Sequence, residues 1–256
     1  MKYYVVSDVH GFYTELQEAL KEKGFFDDAV QHKLIICGDL FDRGREALKL
    51  QKFIIDLMDK DEVILIKGNH EDLILDLVNT LDQYSFKRWH HIQNGSVSTV
   101  LQLCEVDHID ESNMKEIKEK MNNSLFFKRI IPNMINYYET NNYIFVHGWI
   151  PCWTQGFGGK PYKYEYMEDW REAEQADWYF ARWYNGMDAA YQKVIEENKT
   201  IVCGHWHTSY GHSRIEGKGS EFESDADYSP FIYKGIIAID ARTAVSRKIN
   251  CLVIED

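Results

Sequence analysis

Five short stretches of the chain gather side chains that bind metals and phosphate. They are SDVHG with Asp8 and His10, GDLFDRG with Asp39, Asp42 and Arg43, GNHE with Asn69 and His70, VHG with His147, and GHWH with His205 and His207. Each follows an apolar, β-rich run, so each falls where a strand hands over to a loop, the usual place for ligand sites in open α/β sheets. Alternate side chains of an extended chain share a face, so Asp8 and His10 can reach one metal, and His205 and His207 have the same geometry. Taken singly, a D-x-H or G-N-H occurs often in unrelated chains, and His147 alone reads as a buried, satisfied histidine. Taken together the groups hold five of the ten histidines in an order that packing needs do not explain. The donors are carboxylate, amide and imidazole without thiolate, which suits Mn²⁺, Fe or Zn²⁺ better than copper or an iron–sulfur cluster. Two close cations can clamp a phosphoryl group and lower the pKa of a bridging water, and a carboxylate such as Asp39 suits the bridge. Arg43 can offer a forked guanidinium to phosphate oxygens. His70 is the candidate acid for a leaving oxygen, with Asp42 on its other ring nitrogen.

The elements that must position these groups are legible from periodicity. Lys2 to Ser7, Lys33 to Cys37 and Glu62 to Ile66 read as buried strands, and Tyr13 to Lys23 and Arg45 to Asp59 read as amphipathic helices between them, which makes βαβ units. Residues 82–134 turn helical and polar and read as an inserted cap. Strands return at Ile135 to Glu139 and Tyr143 to Val146. Residues 151–177, rich in Gly, Tyr and Trp, read as an irregular aromatic loop facing substrate or covering a sheet edge. Helical signal resumes at Trp178 and breaks near Asn185, and strands follow at Thr200 to Cys203, Phe231 to Tyr233, Ile236 to Asp240 and Lys248 to Ile254. The expected fold class is α/β, a layered βαβ sandwich forming one domain over residues 1–256. Trp149 and Trp206 read as core packing ahead of base stacking.

Composition narrows the partners. The 256 residues carry a net charge of −12, which argues against a general nucleic-acid or anionic-membrane binder. No apolar run approaches membrane-spanning length. Five scattered cysteines without C-x-x-C spacing suggest neither a disulfide framework nor a structural zinc site and fit a cytoplasmic location.

The five blocks resemble the signature of the calcineurin-like metallophosphoesterases, and GDLFDRG with GNHE is similar to the phosphoprotein phosphatase branch of that superfamily. The resemblance covers nearly the whole chain from Asp8 onward. It implies a metallophosphoesterase-like sandwich of two central mixed sheets flanked by helices, with a helical cap, two divalent metal ions per chain with Mn²⁺ or Fe ahead of Zn²⁺, and hydrolysis of phosphate esters by metal-bridged hydroxide. It implies that Asp8 and His10 bind the first metal, that Asp39 bridges, and that Asn69, His147 and His205 bind the second, with His207 joining the first. The two histidines of GHWH resemble the broader superfamily, since the protein phosphatase branch typically has one in that block. His70 with Asp42 would act as the acid pair, and Arg43, Asn69 and Arg182 would contact substrate phosphate, Arg171 being the alternative to Arg182. The leading expectation is a phosphomonoesterase of the serine/threonine protein phosphatase type, acting on a phosphorylated protein or a small phosphoester. The alternatives are a dinucleoside polyphosphate hydrolase and a non-catalytic phospho-binding scaffold.

Overall fold

The computed structural model of the chain describes residues 1–157 and 160–256; residues 158 and 159, inside the expected aromatic loop, lie outside the described residues. The strands are β1 (Lys2–Val6), β2 (His32–Cys37), β3 (Val63–Ile66), β4 (Tyr138–Glu139), β5 (Tyr143–Phe145), β6 (Cys152–Phe157), β7 (Lys160–Tyr166), β8 (Thr200–Cys203), β9 (Phe231–Tyr233), β10 (Ile236–Ala238) and β11 (Leu252–Glu255). One sheet runs β11-β1-β2-β3 and a second runs β4-β5-β8-β10-β9, while β6 and β7 form a separate two-stranded sheet among the described residues. In the first sheet β1, β2 and β3 are parallel and β11 is antiparallel to β1; in the second β5, β8 and β10 are parallel and the outer strands β4 and β9 antiparallel. Both sheets are therefore mixed, as expected.

The period-two pattern explains why the sheets stack. Tyr3, Val5, Ile35, Cys37 and Ile66 of the first sheet meet Phe145 and Val202 of the second in one buried cluster. Their alternates Tyr4, Val6, Leu34 and Ile36 face the other way, onto Leu16 and Leu20 of helix α1 (Tyr13–Glu22) and Leu50 and Ile54 of α2 (Ala47–Asp59). On the far side Ile144, Ile201, Cys203, Ile236 and Ala238 pack against Trp149, Trp170, Trp178 and Met187. A strand buried on both faces must be apolar at nearly every position, and each fully buried Val, Leu or Ile contributes about 2 kcal/mol. All five cysteines are free and buried. Among the described residues no helix is long and apolar enough to cross a membrane.

Residues 82–134 fold as helices without a strand, including α4 (Trp89–Asn94), α5 (Ser96–Cys104) and α6 (Met114–Asn123), which follow α3 (Asn69–Asn79). The expected aromatic loop is instead an antiparallel hairpin of β6 and β7, with Trp153 opposite Glu165 and Thr154 opposite Tyr164. Among the described residues of this ribbon, Cys152 and Tyr164 enter the core. A two-stranded ribbon that is exposed along most of its length carries little hydrophobic alternation, which is why composition suggests a loop. The break near Asn185 is a helix start: its side chain accepts from the backbone N–H groups of Met187 and Asp188 and caps α8 (Gly186–Tyr191), which follows α7 (Gln175–Ala181).

Beyond the hairpin, Arg171 forks onto Glu139 of β4, with Nη2 2.7 Å and Nε 2.9 Å from its oxygens, and also reaches Glu196. Lys199 approaches Glu139 from the other side at 2.9 Å. These two cations hold the Glu139 carboxyl down at about 2, against an ordinary 4.5. A carboxylate whose folded pKa is depressed stabilises the fold above its unfolded value and loses that contribution as pH falls. Glu139→Gln should accordingly flatten the fall in unfolding free energy between pH 4.5 and about 2, by about 1 kcal/mol after solvent screening. Urea titrations of both proteins across that range check it; curves that stay parallel would refute it.

Candidate metal centre

Because β1, β2 and β3 are parallel, and β5 and β8 are parallel, the five motifs emerge from strand ends that share a direction within each sheet. The turns they make are sharp. Asp8, His10, Asp39, Asp42, Arg43 and His205 all have positive φ, between 49° and 75°. Non-glycine residues rarely adopt this conformation, and its concentration here marks a backbone forced into shape by its surroundings. Close approach adds a second demand: a Cβ on Gly68 would lie 2.1 Å from Asp39 Oδ1, and one on Gly204 would lie 2.1 Å from Asp8 Oδ2.

Two groups of donors result, and Asp39 belongs to both. His10, Asp39 and His70 place ligand atoms within 4.8 Å of one another, and so do Asp39, His147 and His205. The carboxylate divides its oxygens between them, with Oδ2 3.7 Å from His10 Nε2 and 3.8 Å from His70 Nε2. Its Oδ1 lies 3.3 Å from His147 Nε2. Asn69 Oδ1 is 2.8 Å from the same nitrogen, and Asp8 Oδ1 is 3.9 Å from His10 Nε2. The remaining ring nitrogens are committed: His10 Nδ1 donates to the Phe41 carbonyl and His147 Nδ1 to the Cys37 carbonyl. His205 bonds the Trp183 carbonyl. Burial pulls all three pKa values down, that of His205 to about 3, so these rings are neutral and turn lone pairs inward.

Acid groups crowd the same space. Burial, then the charges of Asp240 and Asp39, push Asp8 well above the usual carboxylate range, and burial raises Asp240 to about 6. Neutral imidazole nitrogens, an amide oxygen and clustered carboxylates, converging from both sides of one shared carboxylate, are the donor set that two divalent cations satisfy. The residues present fit such a pair. A further trio, Asp76, His90 and His91, has the same spacing on the helical insertion and its preceding helix.

His70 and Asp42 form the expected pair, with Nδ1 2.7 Å from Oδ2. Burial opposes the charged ring, but Asp39 and Asp42 outweigh it and the His70 pKa is raised. Arg43 reaches in from the surface, donating from Nη1 to His10 Nε2 at 2.7 Å and from Nη2 to His70 Nε2 at 3.1 Å.

Other expected residues stand apart. His207 joins neither group; its Nε2 lies 3.2 Å from Glu221 and its ring stacks beside Trp206. In an extended strand it would share a face with His205, but His205 adopts φ 67°, which breaks that alternation. Arg182 is buried and paired with Asp72 at 2.7 Å and Asn136 at 3.1 Å, though its charge is felt at His147. Arg171 is bound to Glu139 and Glu196, away from both donor groups. Trp149 is a core residue whose Nε1 donates to the Val194 carbonyl.

Sequence reasoning passes over four supports. Glu71, within GNHE itself, is fully buried and accepts backbone N–H groups from Gly68, Asp39 and Leu40 at 2.8, 3.1 and 2.9 Å. Asp240 closes an expected strand. Ser96 and Thr99, on α5 of the insertion, donate to the Asp42 oxygens at 2.8 and 2.7 Å. Nothing in the pattern around those two hydroxyls distinguishes them from ordinary helix residues.

The model of the calcineurin-like phosphoesterase family matches residues 1–209. The chain is similar to a symmetrical bis(5'-nucleosyl)-tetraphosphatase of Buchnera aphidicola, 41% identical over 71 residues, covering 28% of this chain and 24% of that one. It is similar to an asymmetrical bis(5'-nucleosyl)-tetraphosphatase of Halalkalibacterium halodurans, 28% identical over 109 residues, covering 40% and 42% of the two chains. The chain thus spans less than half the length of these relatives. The solved structure of a cold-active protein-tyrosine phosphatase from a psychrophilic Shewanella shares the fold with a TM-score of 0.55 and 16% identity, covering 100% of this chain and 75% of that one.

The Glu71 clamp is testable by itself. Glu71→Gln puts an amide N–H₂ where a carboxylate oxygen now accepts a backbone N–H, and should lower stability by about 2 kcal/mol. Urea unfolding of chelator-treated protein measures this apart from metal binding, and an unchanged midpoint would count against the clamp.

Proposed function

This chain belongs to the calcineurin-like phosphoesterase family, and from that membership we propose that it is a dinuclear metal-dependent hydrolase whose substrates are dinucleoside polyphosphates. The observation that carries the reaction class is Asp39, one buried carboxylate with an oxygen turned to each of two donor groups. Support for the substrate comes from the curated relatives in Buchnera and Halalkalibacterium, both of them tetraphosphatases. Asp8, His10 and Asp39 would hold one metal, and Asp39, Asn69, His147 and His205 the other, with Mn²⁺ or Fe preferred. When bound, the metals supply Lewis-acid charge and a water deprotonated near neutral pH.

The chain's own residues supply the rest. Arg43, now donating to two imidazoles, turns its fork to the oxygens of the reacting phosphoryl group and offsets the charge that grows there. That movement frees His70 Nε2 to carry a proton. Water oxygen forms the new bond to phosphorus, the bridging P–O bond breaks on the opposite side, and His70 passes its proton to the departing phosphate oxygen. Asp42, fixed by Ser96 and Thr99, keeps the ring in place through Nδ1. Arg182 lends its charge from behind His147 and contacts phosphate only if Asp72 releases it.

Hydrolysis of phosphoserine or phosphothreonine is a second reading. It is favoured by the His70–Asp42 pair, because an alkoxide leaving group needs a general acid more than a phosphate does. Metal-stripped protein restored in turn with Mn²⁺, Fe²⁺, Zn²⁺ or Mg²⁺ and assayed on diadenosine tetraphosphate, a phosphopeptide and p-nitrophenyl phosphate separates the two. The expected result is the highest kcat/KM on the dinucleotide, with Asp39→Asn costing about a thousandfold and lowering bound metal per chain. Turnover of the phosphopeptide with none of the dinucleotide would overturn the substrate assignment.

A further inference from the structure

A second cationic feature borders the metal centre on its far side. Arg242 follows Asp240 by two residues, and Thr243 beside it donates from Oγ1 to the Asp8 carbonyl at 3.0 Å, so this segment is anchored to the centre. Its charge is felt at both Asp240 and His207. Other arginines are committed to a carboxylate, as Arg129 is to Asp59, Arg171 to Glu139, Arg182 to Asp72 and Arg247 to Glu15. Among the described residues the Arg242 guanidinium makes no ion pair. It rests on the Phe222 ring with its carbon 5.0 Å from the centroid, and Nη1 donates to the Tyr228 hydroxyl at 3.1 Å. Phe222 is 57% exposed, a large aromatic surface left to solvent beside His207, whose ring lies 5.2 Å away. Arg242 also holds φ 52°, a conformation that an arginine has no intrinsic reason to adopt.

We propose that Arg242 and Phe222 form the subsite for the half of a dinucleoside polyphosphate beyond the bond that breaks, Arg242 taking the distal phosphates and Phe222 stacking with the adjoining base. This rests on the substrate class assigned above. A tetraphosphate bridge carries about four negative charges near neutral pH, and the metals with Arg43 serve only the reacting end. In a chain of net charge −12, an unpaired guanidinium beside the acidic centre is the group that can receive the remainder. An exposed aromatic face next to it binds any base through its π surface. A phosphomonoester such as p-nitrophenyl phosphate has nothing to place there. Both residues lie beyond residue 209, where the family match ends, so they belong to the part of the chain least constrained by the shared chemistry.

Steady-state kinetics of the Mn²⁺-loaded full chain, with Arg242→Gln, Arg242→Lys and Phe222→Ala, test this. The expected result is that Arg242→Gln lowers the ratio of kcat/KM on diadenosine tetraphosphate to kcat/KM on p-nitrophenyl phosphate about tenfold, mainly through KM, with Arg242→Lys recovering part of the loss. Phe222→Ala should lower the same ratio about fivefold. An unchanged ratio in an enzyme that does cleave the dinucleotide overturns the subsite and leaves the substrate assignment standing. Wild-type protein that cleaves p-nitrophenyl phosphate but not the dinucleotide overturns both.

Discussion

The burial of the Asp39 carboxylate is the constraint from which the rest of the structure follows. A desolvated carboxylate is costly unless charge or hydrogen bonds compensate it, and Asp39 meets that cost with partners on both sides. The His70 backbone N–H donates to Oδ1 at 3.0 Å, and imidazoles from three further motifs surround the two oxygens. Those partners come from strands of two different sheets, so the sheets must stack closely enough to bring the ends of β2 and β5 together. The shared cluster of Ile35, Cys37, Phe145 and Val202 enforces that stacking. Gly68 and Gly204 follow from the same demand, since neither the Asp39 nor the Asp8 carboxylate leaves room for a Cβ beside it. The left-handed residues do too. Each costs on the order of 1 kcal/mol, and a core of this size can hold six of them in a small volume.

Much of this is legible in the sequence because strands buried on both faces and sharp strand-to-loop turns leave strong marks. The runs ending at Val6, Cys37 and Ile66 are nearly all apolar, and each is followed within a few residues by a carboxylate, amide or imidazole. What periodicity does not convey is direction after the turn. Strand alternation would project Asp8 and His10 together, whereas both residues have left-handed backbone and approach Asp39 from a bend. The same alternation would put His207 beside His205, and the bend at His205 instead delivers His207 to Glu221. The β6–β7 ribbon is hidden for a different reason: a hairpin that buries little has no hydrophobic period to read.

The supports farther from Asp39 are the least visible, and their physics explains why. A hydroxyl that fixes a carboxylate needs only one correctly placed oxygen, and Ser or Thr can sit anywhere on a helix surface without altering its pattern. Ser96 and Thr99 convert the helical insertion from a lid over the sheet into part of the His70–Asp42 pair. An insertion that merely covered the core would tolerate drift relative to the sheet; one that bonds both Asp42 oxygens cannot move without disturbing the Asp42–His70 contact. Glu71 shows the opposite case, a residue inside a recognised motif whose role emerges only when its three backbone partners are seen to come from two separate loops.

On the proposed function, chemistry and selectivity are written in different parts of the chain. The reacting centre is assembled from strand ends, where the position of each donor is set by sheet geometry and close packing leaves few acceptable residues. The proposed subsite rests on side chains whose positions the sheets do not dictate: Phe222 lies on the polar segment before β9, and Arg242 on the turn after β10. Loops of that kind can change length and composition without disturbing Asp39. The acidic character of the chain sharpens the point. With carboxylates gathered at the centre and a net negative charge on the chain, an anionic ligand is drawn in only by local cations, so the proposed polyphosphate substrate depends on the placement of one or two arginines. Within that proposal one donor set around Asp39 suits a short ester or a long phosphate bridge, according to how far the cations extend from it.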